Sequence, residues 1–308
     1  MFQLHRRLPL IRAIAVIATA TLASTGPVAQ AHDPAEDANP NQGKMSFSAG
    51  VDVTSHYFFR GIIQEDQGLI TQPWLEGSAS LSDSVSLTFG IWNSFHDVKT
   101  LRDGGAGSDG AGPDSWYEAD LYIGLSCSAV ENFEFGLVYT AYTSPNDAFS
   151  TVQELALSAG YDDSGMWQDT PIASGLQPSV TVALELDGQA DAGSNEGIYL
   201  ELAVAPSFVV VESKTHPVTL SVPITLGLSL GDYYEDPTSA GAADDSNFGY
   251  LDIGLVVSTP LTSVPADFGQ WELSAGVHYL LLNEATEELN QSANGDEIIF
   301  AVGIRMGY

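Results

Sequence analysis

Apolar and polar residues alternate along this chain from Met45 to its last residue, Tyr308. The alternation runs in segments of roughly ten to fifteen residues, and a period of two is the pattern of β-strands. Clusters of Gly, Asp, Ser and Pro separate the segments. We count twelve of them, at 45–60, 69–82, 84–95, 115–128, 131–143, 149–161, 177–187, 196–211, 216–231, 247–259, 268–282 and 295–308.

The last segment shows the division between faces most clearly. One face holds Ile298, Phe300, Val302, Ile304, Met306 and Tyr308. The other holds Glu297, Ala301, Gly303, Arg305 and Gly307, with Ile299 as its single large apolar residue. A soluble antiparallel sandwich also has one apolar and one polar face per strand, so alternation alone leaves two architectures open.

Strand length and aromatic placement favour a membrane barrel over a sandwich. The segments exceed the five or six residues usual in soluble strands and match the roughly 9–11 that cross lipid at a tilt. Aromatic residues cluster near segment ends, where interfacial girdles are expected. These residues are Tyr57, Phe58, Phe59, Trp116, Tyr117, Tyr233, Tyr234, Phe248, Tyr250 and Trp271.

Connection lengths alternate between short and long, as they do in outer-membrane barrels. Tight turns are predicted at Asp83, at 129–130 and at 212–215, and long acidic loops at 96–114, 232–246 and 283–294. Only the connection at 162–176 departs from this alternation, because it is long where a tight periplasmic turn is expected. We therefore predict an all-β fold, a single antiparallel transmembrane β-barrel of about 12 strands with both termini periplasmic.

The N-terminus is typical of a secretory signal peptide. His5, Arg6 and Arg7 precede an apolar run at 13–23, and Ala29-Gln30-Ala31 forms a cleavage site. The expected organisation is a signal peptide at 1–31, a flexible tail at 32–44 and the barrel at 45–308. The apolar run is too short for a membrane helix, which needs about 20 residues.

The charge balance is strongly acidic. The chain has forty Asp and Glu against nine Lys and Arg, and three of the nine lie in the predicted signal, which leaves 6 − 40 = −34. Nucleic acid is excluded as a partner because it requires clustered basic residues. The 44% apolar content argues against disorder.

A single cysteine, Cys127, excludes an internal disulfide and a cysteine-based metal site.

Residues 55–66 have the sequence SHYFFRGIIQED. This stretch resembles the Y-x-F-R-G-I-S-Q-x-D signature of a family of uncharacterised Gram-negative outer-membrane β-barrel proteins, with Ile63 in place of the serine. Residues 90–94, GIWNS, are similar to its G-x-W-x-S element. The similarity covers about fifty residues. It implies an outer-membrane barrel and carries no catalytic residues to this chain.

Three kinds of partner are predicted. The final strand, with Phe300, Ile304, Met306 and Tyr308, resembles the C-terminal signal read by the barrel-assembly machinery. Outer-membrane lipid and lipopolysaccharide would surround the barrel. Divalent cations could bind loosely at the acidic loop with Asp232, Glu235, Asp236, Asp244 and Asp245. The G-G-x-G-x-D match within 103–114 is a single copy of a pattern that binds calcium in tandem, so a flexible loop is favoured there.

Strand parity places many charged residues in the lumen. They are Asp52, Arg60, Glu76, Glu118, Asp120, Glu134, Glu154, Glu185, Glu201, Asp252, Glu272, Glu297 and Arg305. Acidic linings attract cations, which predicts a porin-like passive channel for cations or small solutes. The alternative is a closed structural or surface-interaction barrel. A barrel of twelve strands is intermediate in diameter between barrels of about eight strands, which side chains fill, and barrels of about 16–18 strands, which hold an aqueous channel.

Two further expectations concern single residues. Arg60 could pair with Asp296 or Glu297 at the outer rim, where the first and last strands meet. No nucleophile–base pair is predicted, since Ser274 and His278 lie about 13 Å apart along one strand, and His56, His96 and His216 stand in dissimilar contexts. We therefore predict a protein without enzymatic activity, cofactor or tightly bound metal, in which Cys127 is inert.

Overall fold

A computed structural model describes residues 43–97, 115–168, 170–172, 174–191, 193–213, 216–235, 246–290 and 294–308. The predicted signal peptide, nearly all of the predicted tail, the Gly/Asp loop at 103–114 and the acids Asp236, Asp244 and Asp245 lie outside these residues. No helix in the described part of the chain is long and apolar enough to cross a membrane.

Sixteen strands are present in this part of the chain. They are β1 (Met45–Thr54), β2 (Tyr57–Phe59), β3 (Ile62–Glu65), β4 (Ile70–Ser80), β5 (Val85–His96), β6 (Trp116–Cys127), β7 (Phe133–Thr143), β8 (Val152–Tyr161), β9 (Ser179–Asp187), β10 (Ile198–Val204), β11 (Ser207–Val211), β12 (Val218–Ser221), β13 (Ile224–Gly231), β14 (Phe248–Pro260), β15 (Gln270–Leu282) and β16 (Asp296–Gly307). A single α-helix, α1 (Glu284–Leu289), and two short 3-10 helices (Ser164–Met166 and Ala266–Phe268) complete the described elements.

Fourteen of these strands form one closed antiparallel sheet. Each pairs with its neighbours, β1 pairs with β16, and β14 pairs with both β13 and β15, so the sheet has no open side. β10 and β11 are two parts of one wall strand, and so are β12 and β13. Merging each pair leaves twelve wall strands, which confirms the predicted antiparallel barrel of twelve strands.

Prolines explain why two wall strands are divided. Pro206 separates β10 from β11 and Pro223 separates β12 from β13. Proline has no N–H to give to the ladder, so the pairing is interrupted there. Both proline carbonyls still accept hydrogen bonds, from Val222 N at 2.9 Å and from Gly254 N at 2.8 Å. The wall therefore remains continuous across both breaks.

The two faces of the wall differ as the alternation predicts. Leu121 is 57% exposed and Phe300 is 60% exposed on the outer face. The side chains of Asp120 and Tyr122, one position either side of Leu121, are buried. Ile224, Leu226 and Ile304 are only partly buried, so no second sheet covers them. A soluble sandwich is therefore excluded, and the apolar residues form the outside of the barrel.

The start of β1 and the last residue of the chain meet at one rim of the barrel, called here the terminus end. Tyr308 and Phe47 exchange two backbone hydrogen bonds of 2.7 and 2.8 Å. Of the residues in the predicted assembly signal, Phe300 and Tyr308 are exposed and Ile304 and Met306 are partly buried. The opposite rim, where β1 ends and β4 begins, is the loop end.

The first predicted segment, 45–60, differs from the structure. The wall strand β1 stops at Thr54, and the chain then turns inward as the hairpin β2–β3. We call residues 57–65 the plug hairpin. Its side chains contact β6, β7, β8 and β10, which lie around it in the wall, so it lies inside the barrel.

A two-residue turn at Arg60-Gly61 closes the plug hairpin. Both residues have positive φ, 50° and 83°, as a type I′ turn requires. Glycine suits the second position, where an added Cβ would also approach the Tyr250 side chain to 3.0 Å. Arginine at the first position is unusual, because a non-glycine residue with positive φ carries a conformational cost of order 1 kcal/mol. Arg60 is thus held in a strained conformation by its surroundings.

The predicted aromatic girdles are largely wrong. Seven of the ten aromatic residues assigned to them are buried, namely Tyr57, Phe58, Phe59, Tyr117, Tyr233, Tyr234 and Tyr250. They pack with the plug hairpin inside the barrel in two clusters. Tyrosine suits this setting as well as a membrane interface, since its ring is apolar and its hydroxyl needs a partner.

Candidate functional site: the closed loop end of the barrel

The guanidinium of Arg60 makes the most complete set of contacts in the plug hairpin. Its two terminal nitrogens donate to the two carboxylate oxygens of Glu154, at 2.6 and 2.9 Å. One of them also donates to the Tyr233 hydroxyl at 2.8 Å. Both side chains of the ion pair are at least 96% buried. A buried, bidentate pair of this kind is strongly directional.

Aromatic rings surround the same guanidinium. Its central carbon lies 4.0 Å from the ring centre of Tyr199, 5.0 Å from that of Phe59 and 5.3 Å from that of Tyr233. Distances below about 6 Å allow a cation–π attraction. Tyr142 donates to the Glu154 carboxylate at 3.2 Å and completes its surroundings. We call Glu154, Tyr199 and Tyr233 the cation cage.

Other side chains fasten the rest of the plug hairpin. The Tyr57 hydroxyl donates to Glu118 at 2.8 Å, and the Tyr117 hydroxyl donates to Gln64 at 2.5 Å. Asn290, which follows α1, donates to the Gly61 carbonyl at 2.9 Å and accepts from Ile63 N at 2.7 Å. Strand β6 and the loop after β15 therefore hold the hairpin in addition to the ion pair.

The predicted pairing of Arg60 with Asp296 or Glu297 is wrong. Arg60 turns into the lumen and binds Glu154 on β8 instead of reaching β16. The prediction assumed that the first strand continues to Arg60, so that alternation along the strand fixes the direction of its side chain. The strand ends six residues earlier, at Thr54. The predicted separation of Arg60 from Arg305 agrees with the structure, since Arg305 pairs with Glu272 at 2.5 Å near the terminus end.

The predicted lumen acids divide into two groups by depth of burial. Buried ones are Glu76, Glu118, Asp120, Glu154, Glu185 and Asp252, and partly buried ones are Asp52, Glu134, Glu201, Glu272 and Glu297. Several of the buried acids have neutral hydrogen-bond donors. Tyr122 donates to Glu76 at 3.0 Å, and the backbone N–H groups of residues 190 and 197 donate to Glu185 at 2.7 Å.

One buried histidine–aspartate pair was not predicted from the sequence. His278 Nδ1 lies 2.8 Å from Asp252 Oδ2, on the neighbouring strands β15 and β14. His278 Nε2 has no hydrogen-bond partner among the described residues. Ser274 lies on the same strand as His278, whereas Asp252, the residue that contacts His278, lies on the neighbouring strand. Among described residues no group of three or more His, Cys, Asp or Glu side chains could hold a metal ion.

Two loops at the loop end are tied by carboxylates. Asp191 accepts from Glu235 N at 2.9 Å and from Gly193 N at 2.8 Å. Glu235 in turn accepts from the backbone N–H groups of Ser194 and Asn195. We call these contacts the loop latch. They join the β9–β10 connection to the chain that leaves β13.

The loop latch should depend on pH. Burial raises the pKa of Asp191 to about 6, although the amides of Glu235 and Gly193 oppose the shift. Amide donors from Ser194 and Asn195 outweigh burial and hold the pKa of Glu235 below its usual value. Between about pH 4 and 6 the folded Asp191 therefore binds more protons than the unfolded one, so the latch gains stability as pH falls from 7 to 5.

Hydrogen-exchange protection factors of the Ser194 and Asn195 amides measure this effect. We expect them to rise between pH 7 and pH 5. The matched control is Asp191→Asn, which keeps an acceptor oxygen and removes the titration, so its protection should be independent of pH in this range. A wild-type profile as flat as that of the control would contradict the expectation.

No protein-family model and no curated protein sequence matches this chain. Among solved structures, it is similar to an outer-membrane channel from Pseudomonas putida F1, with 12% identity, a TM-score of 0.46 and coverage of 90% of this chain and 100% of that one. It is also similar to the NanC porin, at 8% identity and a TM-score of 0.44, covering 85% of this chain and 98% of that one. A third similar structure is LpxR from Salmonella typhimurium, at 9% identity and a TM-score of 0.44, covering 85% of this chain and 99% of that one. These likenesses are distant, and the fold is defined by the strand pairing of this chain itself.

Proposed function

We propose that this chain is an outer-membrane channel for small cations whose outer mouth is closed by the plug hairpin. The exposed apolar face of a closed barrel supports residence in a membrane, because a closed sheet satisfies every backbone group without water. The alternation of tight turns with long acidic loops described above supports an orientation in which the loop end faces the outside of the cell. Export through the predicted signal peptide and assembly through the C-terminal strand belong to this proposal.

The plug hairpin carries the proposal that the channel is gated. It fills the loop end with the side chains of Tyr57, Phe59 and Arg60, all buried. Beyond it, toward the terminus end, Asp52, Glu134 and Glu201 are only partly buried. An acidic, partly accessible wall attracts cations. The lumen therefore combines a closed outer half with a cation-attracting inner half.

The second candidate is the closed structural barrel. It is supported by the same buried network, since a hairpin fastened at Glu154, Glu118 and Asn290 fits a permanent plug equally well. The two candidates differ in what removal of the plug would do. A channel should open with cation selectivity, whereas a barrel filled by its own wall side chains should stay closed.

Planar-bilayer conductance tests this difference. We expect small or rare currents from the wild type, and large stepwise currents from a variant in which a Gly/Ser linker replaces residues 56–67. A salt gradient should give a cation-selective reversal potential, and Asp52→Asn with Glu201→Gln should reduce that selectivity. Silence from the correctly folded deletion variant would favour the structural barrel.

A second variant makes the same test possible if the deletion variant does not fold. The double substitution Arg60→Ala with Glu154→Ala removes the ion pair without leaving a buried charge. It should open more often than the wild type while keeping the heat-resistant folded band. Unchanged conductance of this folded variant would also count against the channel.

A further inference from the structure

The cation cage contains no residue of the plug hairpin that fills it. Glu154 lies on β8 and Tyr199 on β10, and Tyr233 follows β13. Phe59 is the single aromatic contact that arrives with Arg60 itself. The carboxylate and two of the three rings therefore belong to parts of the chain other than the plug hairpin.

The contacts of the cage match a guanidinium head in particular. Both oxygens of Glu154 meet the two terminal nitrogens of Arg60, and the Tyr233 hydroxyl accepts a further hydrogen bond. The ring of Tyr199 lies 4.0 Å from the central carbon. A planar fork that binds two carboxylate oxygens while stacking on a ring is specific to guanidinium, since an ammonium presents a compact point charge.

Two features indicate that the cage recognises the head group and not the rest of the arginine. Arg60 Nε, where the head joins the side chain, has no hydrogen-bond partner among the described residues. The backbone of Arg60 carries a positive φ of 50°, a strained conformation for arginine. The strained turn therefore positions the guanidinium of Arg60 between the residues of the cation cage.

We propose that Glu154, Tyr199 and Tyr233 form a binding site for guanidinium-bearing solutes, which Arg60 occupies as an internal ligand. In the wild type, a solute competes with Arg60 and must displace the other fastenings of the plug hairpin. Its binding there is therefore far weaker than to a cage from which Arg60 has been removed. The place of this site in solute passage rests on the proposed channel function, but the site itself is defined by binding alone.

The test uses the full chain with Arg60→Ala and methylguanidinium as the probe. We expect methylguanidinium to raise the temperature at which the heat-resistant folded band is lost, and to bind at least tenfold more tightly than methylammonium. Adding Glu154→Gln to Arg60→Ala should abolish the response, because the bidentate acceptor is lost. Arg305→Ala, which removes the other lumen arginine, should show no specific response to methylguanidinium.

Equal responses to methylguanidinium and methylammonium in folded Arg60→Ala would overturn the proposal. If this variant fails to fold alone, refolding with methylguanidinium should restore the heat-resistant band and methylammonium should not. Failure of methylguanidinium to restore it would equally overturn the proposal. Conductance has no part in these measurements, so a barrel that never conducts can still pass them and a conducting barrel can fail them.

Discussion

Replacing Glu154 with alanine should lower the free energy of unfolding by about 3–5 kcal/mol, because it leaves Arg60 charged, buried and without its counter-ion. The pair is enclosed on all sides by rings and by other barrel strands, so water cannot take over the role of the carboxylate. Urea unfolding of the purified protein in lipid vesicles, followed by tryptophan fluorescence, measures the loss.

Two controls separate the ion pair from a general effect of mutation. The double variant Arg60→Ala with Glu154→Ala should recover a large part of the loss, since no uncompensated charge remains. Arg305→Ala should cost less than Glu154→Ala, because the side chains of its pair with Glu272 are 20% and 18% exposed, against 3% and 4% in the pair of Arg60 with Glu154. A loss from Glu154→Ala as small as that from Arg305→Ala would mean that the plug hairpin is not held by this pair.

An arginine in place of Leu121 should destabilise the barrel by roughly 2–4 kcal/mol in lipid vesicles, as expected for a basic residue on the lipid face near the bilayer midplane. Leu121 lies in the middle of β6 and its side chain points outward, with 57% of it exposed. The same measurement of unfolding free energy applies.

Val130 supplies the matched position for this substitution. It is exposed to a similar degree, 52%, but lies in the tight turn between β6 and β7. Val130→Arg should therefore change the free energy of unfolding by less than about 1 kcal/mol. Equal costs at the two positions would contradict residence of the apolar band in lipid, and with it the membrane part of the proposed function.

The wall of the barrel could be predicted from sequence because its cause is local. Each wall strand places one residue in two on the outer face, and an apolar outer face leaves a period of two in the sequence. Turn lengths are local as well. The twelve predicted segments therefore correspond to twelve wall strands. The largest differences lie at the prolines 206 and 223 and at the end of the first segment, and the other segment ends differ by up to three residues.

The plug hairpin could not be predicted in this way because its cause is remote. Residues 57–60 fall within the first predicted segment and residues 61–65 within the connection that follows it, and this local sequence does not show that the chain turns inward. What stabilises the turn is Glu154, which lies 94 residues away, and Tyr233, which lies 173 residues away. The same remoteness explains the girdle error, since a buried tyrosine and an interfacial tyrosine have the same local sequence.

The remote fastening of the plug hairpin also orders the events of folding. Asn290, which binds the backbone at Gly61 and Ile63, is separated from Ile63 by 227 residues, so almost the whole chain must be in place before the hairpin can dock. Contacts between such distant residues form late, because the entropy of closing a long loop is lost before any contact repays it. Closure of the barrel wall joins residues that are even further apart in sequence, such as Ser48 on β1 and Gly307 on β16, so the hairpin docks and the wall closes at the same late stage of folding.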